Sequence, residues 1–216
     1  RDEVVGSRIK YGVPELERMA NLGCCGPNIV LIHMGWASPK EIVLCMEHDM
    51  KIACSPSTGY RLAFGSIEVG RFPEMLELGI TVALGSDGAM SSNYLDIVRE
   101  MSLVSGGCKS QRLDPTIMGP EVVLEMGTIN GAKAALWEDE IGSLEAGKKA
   151  DLAMLNLRAA SFTPLNDVRN HLIYCENGSS VETVIVNGEI MVEDGKLTRV
   201  DEEALLDELR EMMPGI

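Results

Sequence analysis

Asp87 and His33 are the residues of this chain whose types and settings are best suited to chemistry. Asp87 stands in Gly85-Ser86-Asp87-Gly88, directly after an apolar run that begins at Ile80, and His33 closes the apolar run Asn28–His33. A carboxylate carried by a buried strand into a glycine-rich turn emerges at the end of the sheet. There it can ligate a metal or take a proton from a metal-bound water. The same turn chemistry also suits a structural Asp87 that closes an Asx turn or caps the next helix. His33 has a structural reading too, as an imidazole that simply ends its strand. The other two histidines read as structural: His48 ends a helix in Glu47-His48-Asp49, and His171 lies in Asn170–Tyr174. One carboxylate and one imidazole cannot hold a zinc ion, which takes three or four protein ligands. As residues alone, they describe an incomplete site.

For the two groups to face one cavity, the runs that carry them must be neighbouring strands. Asn28–His33, Met50–Cys54 and Ile80–Gly85 are continuous apolar runs, as strands of a parallel sheet buried on both faces are. Helical patterns separate them. Ser38-Pro39-Lys40-Glu41 combines a capping serine, a proline at the first helical position and a glutamate at the third, which predicts a helix to about Asp49. Further helices are predicted over Phe72–Leu78, Tyr94–Ser105 and, as one long helix or a pair, Gly119–Trp137. Strand–helix–strand units imply a parallel sheet, either doubly wound or part of a (β/α)8 barrel. Neither GxGxxG nor GxxxxGKS/T occurs, which favours the barrel, where catalytic groups stand at the C-terminal ends of the strands.

After about Glu138 the texture changes. Lys149–Leu157 and Val181–Val192 read as strands, the second folded on Asn187-Gly188, the strongest short-range hairpin signal. A polar amphipathic helix capped by Asp201 is predicted over Asp201–Met213.

Composition narrows the partners. With 45% hydrophobic and 24% charged residues, the chain is ordinary globular protein. Nineteen Lys+Arg against 33 Asp+Glu give a net charge of -14. Such a surface repels phosphate backbones and anionic lipid, so neither nucleic acid nor a membrane is an expected partner. Six cysteines without C-x-x-C spacing, several in apolar surroundings like Cys45, suggest a reducing cytoplasm. No apolar run reaches the roughly 18 residues that span a bilayer. The chain opens on Arg1 and reads as the middle of a longer sequence.

Five segments in this order carry a resemblance: Asn28–His33, Ile80–Ser91 (ITVALGSDGAMS), Thr128–Ala134 (TINGAKA), Ile141–Leu152 (IGSLEAGKKADL) and Val184–Glu189 (VIVNGE). Together they resemble the amidohydrolase superfamily over nearly the whole chain. The nearest look is to the branch of S-adenosylhomocysteine and methylthioadenosine deaminases, guanine and cytosine deaminases and triazine chlorohydrolases. The resemblance implies an α/β fold: strands six to eight of a metal-dependent (β/α)8 barrel, plus part of a small β-sandwich. The division it implies is 1–137 for the partial barrel, 138–200 for sandwich strands with a connecting helix, and 201–216 for a C-terminal helix.

The activity implied is hydrolysis of a C–N bond, the deamination of a small heterocycle by metal-bound hydroxide. One divalent metal, zinc or iron, is implied as cofactor. Its family ligands are an H-x-H on the first strand, a fifth-strand His and the Asp of an eighth-strand S/T-D-G. That Asp matches Asp87, which would also relay the proton of the attacking water. The sixth-strand His matches His33, and would hydrogen-bond substrate or water. Ser91 matches a frequent pocket serine, and Trp36 would wall the pocket with an aromatic face.

The chain departs from the family where it has no H-x-H and no fifth-strand His, so an N-terminal half of the barrel is an implied partner. It also has Cys54 where members often carry a His after strand seven, which places Cys54 at the substrate. Besides the substrate, a homo-oligomer is the expected assembly. Two other readings stay open: a non-catalytic structural or interaction half lacking the metal ligands, and a nucleotide-binding α/β protein, which the missing phosphate loops disfavour.

Overall fold

A computed structural model describes residues 2–212 of the chain. Strands β1 (Val30–Ile32), β2 (Lys51–Cys54) and β3 (Val82–Leu84) form one parallel sheet in that order. Leu31, Ile52 and Val82 stand side by side across it, and so do Ile32, Ala53 and Ala83. Ile52 and Val82 are fully buried in a core shared with Phe72, Met75, Val104 and Met126. Each strand is shorter than its apolar run: β1 and β3 lose residues at both ends and β2 only its first. After β1, both His33 (φ 68°) and Met34 (φ 50°) are left-handed, a conformation no strand continues through. Among the described residues β1 pairs only with β2, and its Val30 and Ile32 are 40% and 56% exposed.

The predicted capping box forms. Ser38 Oγ accepts from the Glu41 amide (3.3 Å), and the Glu41 carboxylate accepts from the Ser38 amide (2.9 Å). The helix it starts, Pro39–Glu47, stops short of Asp49, whose φ of 49° turns the chain back towards β2. The helix expected over Tyr94–Ser105 runs instead from Ile97 to Arg112. Asp96 caps it by accepting from the Arg99 amide at 3.1 Å, which leaves Tyr94 and Leu95 outside. Gly107 does not end this helix. A side chain there would meet the Tyr60 hydroxyl at 1.9 Å, so the glycine serves close packing.

Gly119–Trp137 is a pair, Pro120–Gly127 and Ile129–Ala134, and the side-chain Nδ2 of Asn130 in the second donates to the Val82 carbonyl at 3.1 Å. The helix expected over Phe72–Leu78 is Phe72–Glu77. Short helices that sequence periodicity does not reveal, Pro56–Arg61, Ser66–Val69 and Ala89–Ser92, fill the loops after β2 and β3. Among the described residues no helix is long and apolar enough to cross a membrane.

A second sheet is antiparallel, in the order β4 (Leu152–Leu155), β5 (Val181–Val186), β6 (Glu189–Glu193), β7 (Lys196–Leu197). Val181–Val192 breaks at Asn187-Gly188, both with positive φ (51° and 82°), as a two-residue hairpin turn requires. A second hairpin at Asp194-Gly195 adds β7, which the sequence reading omits although Asp-Gly is the same signal. The last helix is Glu202–Met212; Arg1 and residues 213–216, including Met213 of the predicted helix, lie outside the described residues.

Glu100, on the helix Ile97–Arg112, is fully buried. Its carboxylate accepts from the Ser57 amide (3.0 Å) and the Ser57 hydroxyl, tying this helix to the loop after β2. Burial pushes its pKa above the ordinary 4.5, and the Ser57 bonds only partly oppose this. An acid raised in the fold stabilises while protonated, so its contribution is intact below its unfolded pKa and is lost as pH rises through the folded one. Glu100→Gln cannot ionise and keeps a partner for each Ser57 group. Denaturant titrations across pH should show it more stable than wild type at neutral pH, with the gap closing below the ordinary Glu value.

Candidate active site

The parallel register brings the C-terminal ends of β1 and β3 together. His33 Nε2 lies 3.7 Å from Asp87 Oδ2, with both side chains about one-third exposed. The two oxygens of Asp87 do different things. Oδ1 accepts from the Gly88 amide at 2.6 Å, and the residue is left-handed (φ 59°), so the turn role is real. Oδ2 is free of that turn and faces the imidazole.

His33 is held from several sides. Its amide donates to the Ala53 carbonyl at 2.8 Å, and its ring meets Phe64 edge-on at 5.5 Å. Its Nδ1 is buried and has no hydrogen-bond partner among the described residues. Trp36 follows, 39% exposed, with its indole N–H donating to the Phe64 carbonyl at 2.7 Å. His33, Trp36, Phe64 and Ser66 line a cavity of about 650 Å³ together with Leu16 and Met19. From β1 it takes Leu31 and Ile32.

Of the other residues the sequence singles out, Ser91 is half-buried in the turn helix Ala89–Ser92 that Asp87 leads into, and does not line this cavity. Cys54 is not brought to it either. It is 1% exposed in the hydrophobic core, and burial, with Cys108 and Glu100 nearby, pushes its thiol well above the usual range. Burial likewise raises Cys45 and Cys108 to about 11, so these are inert thiols. All six cysteines are free. His48 is exposed at a helix end. His171 is satisfied structurally, between the Ser161 carbonyl (2.7 Å) and the Asn166 side-chain oxygen (3.0 Å), and stacked on Phe162.

Phe64 and Ser66 escaped the sequence reading because they come from the loop after β2 and meet His33 only in three dimensions. The glycine between them, left-handed at φ 69°, marks a turn but not a site.

Asp87 and His33 do not make a metal site by themselves. Among the described residues no group of three or more His, Cys, Asp and Glu could hold an ion.

Residues 6–191 match the profile of the amidohydrolase family. The chain belongs to the amidohydrolase family. Amidohydrolase relatives include the 5-methylthioadenosine/S-adenosylhomocysteine deaminase of Moorella thermoacetica, 37% identical over 213 residues, covering 99% of this chain and 49% of that protein. A 5'-deoxyadenosine deaminase of Methanosarcina barkeri is 34% identical over 206 residues, covering 95% and 46%. The crystal structure of an adenosine deaminase from Xanthomonas campestris with bound zinc superposes with a TM-score of 0.90 at 30% identity, over 97% of this chain and 47% of that one. Atrazine chlorohydrolase from Arthrobacter aurescens TC1, complexed with zinc, shares the fold (TM-score 0.88, 23% identity) over 98% of this chain and 46% of its own. This amidohydrolase chain spans about half the length of the relatives it matches.

The 216-residue chain alone should therefore take up zinc weakly or not at all, since so few ligands cannot displace the ion's waters. Calorimetry giving a stoichiometric, sub-micromolar complex that Asp87→Ala abolishes would overturn the part-site reading.

Proposed function

We propose that the chain is the C-terminal half of a metal-dependent deaminase acting on a small heterocycle of the adenosine class. One observation carries the reading. His33 and Asp87 converge to 3.7 Å at the strand ends, in a chain that aligns nearly end to end with deaminases of adenosine derivatives. In this reading β1, β2 and β3 are strands six, seven and eight of the barrel. Residues 1–137 belong to the barrel, 138–200 to the sandwich and 201–216 to the closing helix. The open side of β1, with Val30 and Ile32 exposed, is where the N-terminal half continues the sheet.

Asp87 is one ligand of a centre whose other ligands lie in that half. A divalent metal bound there would lower the pKa of the attacking water. Asp87 Oδ2, the oxygen not engaged in the turn, takes the proton from that water and passes it to the leaving amine. His33 orients the substrate or the water from beside it. Trp36 and Phe64 supply aromatic walls for a flat ring, and Ser91 stands on the same loop as Asp87. Cys54, sealed in the core, has no part in substrate contact.

Ammonia release by the complete, metal-loaded protein tests the substrate class, with 5'-methylthioadenosine, S-adenosylhomocysteine, 5'-deoxyadenosine and adenosine as candidates. No release from any of the four would sink it. Asp87→Asn should lower kcat by roughly 10²–10⁴-fold through lost proton transfer, and should lower metal content as well. His33→Asn should lower kcat while keeping the metal. If instead His33→Asn strips the metal and Asp87→Asn keeps near-normal activity, the roles are wrongly assigned and Asp87 is only a turn residue.

A further inference from the structure

His33 and Met34 are consecutive left-handed residues, and neither is glycine. Such backbone persists only where the surroundings over-determine it, and it concentrates at working sites. The hydrogen bond from the His33 amide to Ala53 fixes where β1 ends but not how the next residues run. Locally the Met34 amide donates to the Ile32 carbonyl (2.9 Å) and the Ala37 amide to the Met34 carbonyl (3.2 Å), and the turn they make is seated from outside by the loop after β2. Gly35 lies flat against Ser66: a Cβ at Gly35 would stand 2.4 Å from the Ser66 Cα and 2.7 Å from its carbonyl oxygen. This is backbone seated on backbone. One residue later, the Trp36 indole donates to the Phe64 carbonyl, and two residues earlier the His33 ring rests on Phe64.

Ser66 is in turn wedged from its other side. It is 3% exposed, and a Cβ at Gly59 would stand 2.1 Å from its Oγ but 3.5 Å from its Cβ. The Oγ has no hydrogen-bond partner among the described residues, so its hydrogen-bonding capacity does not explain the contact. It fills the space against Gly59, while Gly35 packs on the Cα, Cβ and carbonyl oxygen of the same residue.

We propose that Ser66 is a positioning residue for the deaminase site: its backbone is the stop on which Gly35 seats the loop after β1, setting the orientation of His33 and Trp36. This rests on the reading of His33 as a working residue, and the alternative is ordinary close packing. The two glycine contacts differ in kind, and that separates them. The clash at Gly35 is with Ser66 Cα, carbonyl oxygen and Cβ, all of which Ser66→Ala keeps. The clash at Gly59 is with one side-chain atom, which Ser66→Ala deletes.

The test uses the complete protein labelled with 5-fluorotryptophan, the Trp36 resonance being assigned by its loss in Trp36→Phe. Gly35→Ala should shift that resonance and lower kcat on the order of tenfold to a hundredfold, as small misplacements do, with metal content kept. Adding Ser66→Ala should restore neither. Gly59→Ala should shift the resonance and kcat by less, and Gly59→Ala with Ser66→Ala should return both to the level of Ser66→Ala alone. A Gly35→Ala protein with an unmoved resonance and normal kcat overturns the proposal. So does equal rescue of both glycine variants. If Gly59→Ala fails to fold, recovery of the folded protein in the double variant supports the joint, and failure there too overturns it. Should wild type release no ammonia from any adenosine derivative, the deaminase reading falls, while the resonance pattern still decides whether Ser66 sets the loop.

Discussion

The parallel register of three short strands is the constraint on which the rest of the molecule depends. With Ile32, Ala53 and Ala83 abreast, the three chains leave the sheet at one level and on one side. Parallel strands repeat the same end, so whatever each carries past its last residue is delivered to a common rim. A slip of one residue would invert every side chain, sending the Ile52 and Val82 row out of the core. Because that row is fully buried against Phe72, Met75 and Met126, the register cannot slip without emptying the core. The hydrophobic packing behind the sheet thus holds the distance between His33 and Asp87 in front of it.

The two faces of the sheet are built for different ends. The Leu31–Ile52–Val82 row meets helices and excludes water. The Ile32–Ala53–Ala83 row is small in two of its three members, with Ala83 buried and Ile32 exposed at the sheet edge. Behind the rim, Glu100 ties the loop after β2 to a long helix at an electrostatic cost, since burial opposes its ionisation. Asn130 ties the helix pair to β3 by the carbonyl of Val82. Polar side chains buried at these points fix orientation, where apolar contacts alone would allow sliding.

Much of this is legible in the sequence wherever a local rule has a single outcome. Ser38-Pro39-Lys40-Glu41 can form one kind of helix start, and Asn187-Gly188 one kind of turn; both form. Lengths are less legible. Tyr94–Ser105 has helical spacing, but Asp96 competes for the first amides and the packing against Tyr60 carries the helix on through Gly107. Asp87 illustrates the limit at a single residue. Its sequence setting permits a turn role and a chemical one, and the folded carboxylate engages the turn with Oδ1 while Oδ2 faces His33.

By itself the sequence determined the three parallel strands and their order, the capped helix between the first two, the Asn187-Gly188 hairpin, the amidohydrolase family signature, and the poverty of metal ligands, because each of these is written in residue types and short spacings. Tertiary structure alone decided who meets whom. It placed Cys54 in the core rather than at the rim, since alternate residues of a strand face opposite ways and one register assigns them all. It brought Phe64 and Ser66 from a neighbouring loop to His33 across some thirty positions of chain. No periodicity encodes such a contact, because it depends on how two loops of unrelated sequence settle against each other once the strands beneath them are fixed.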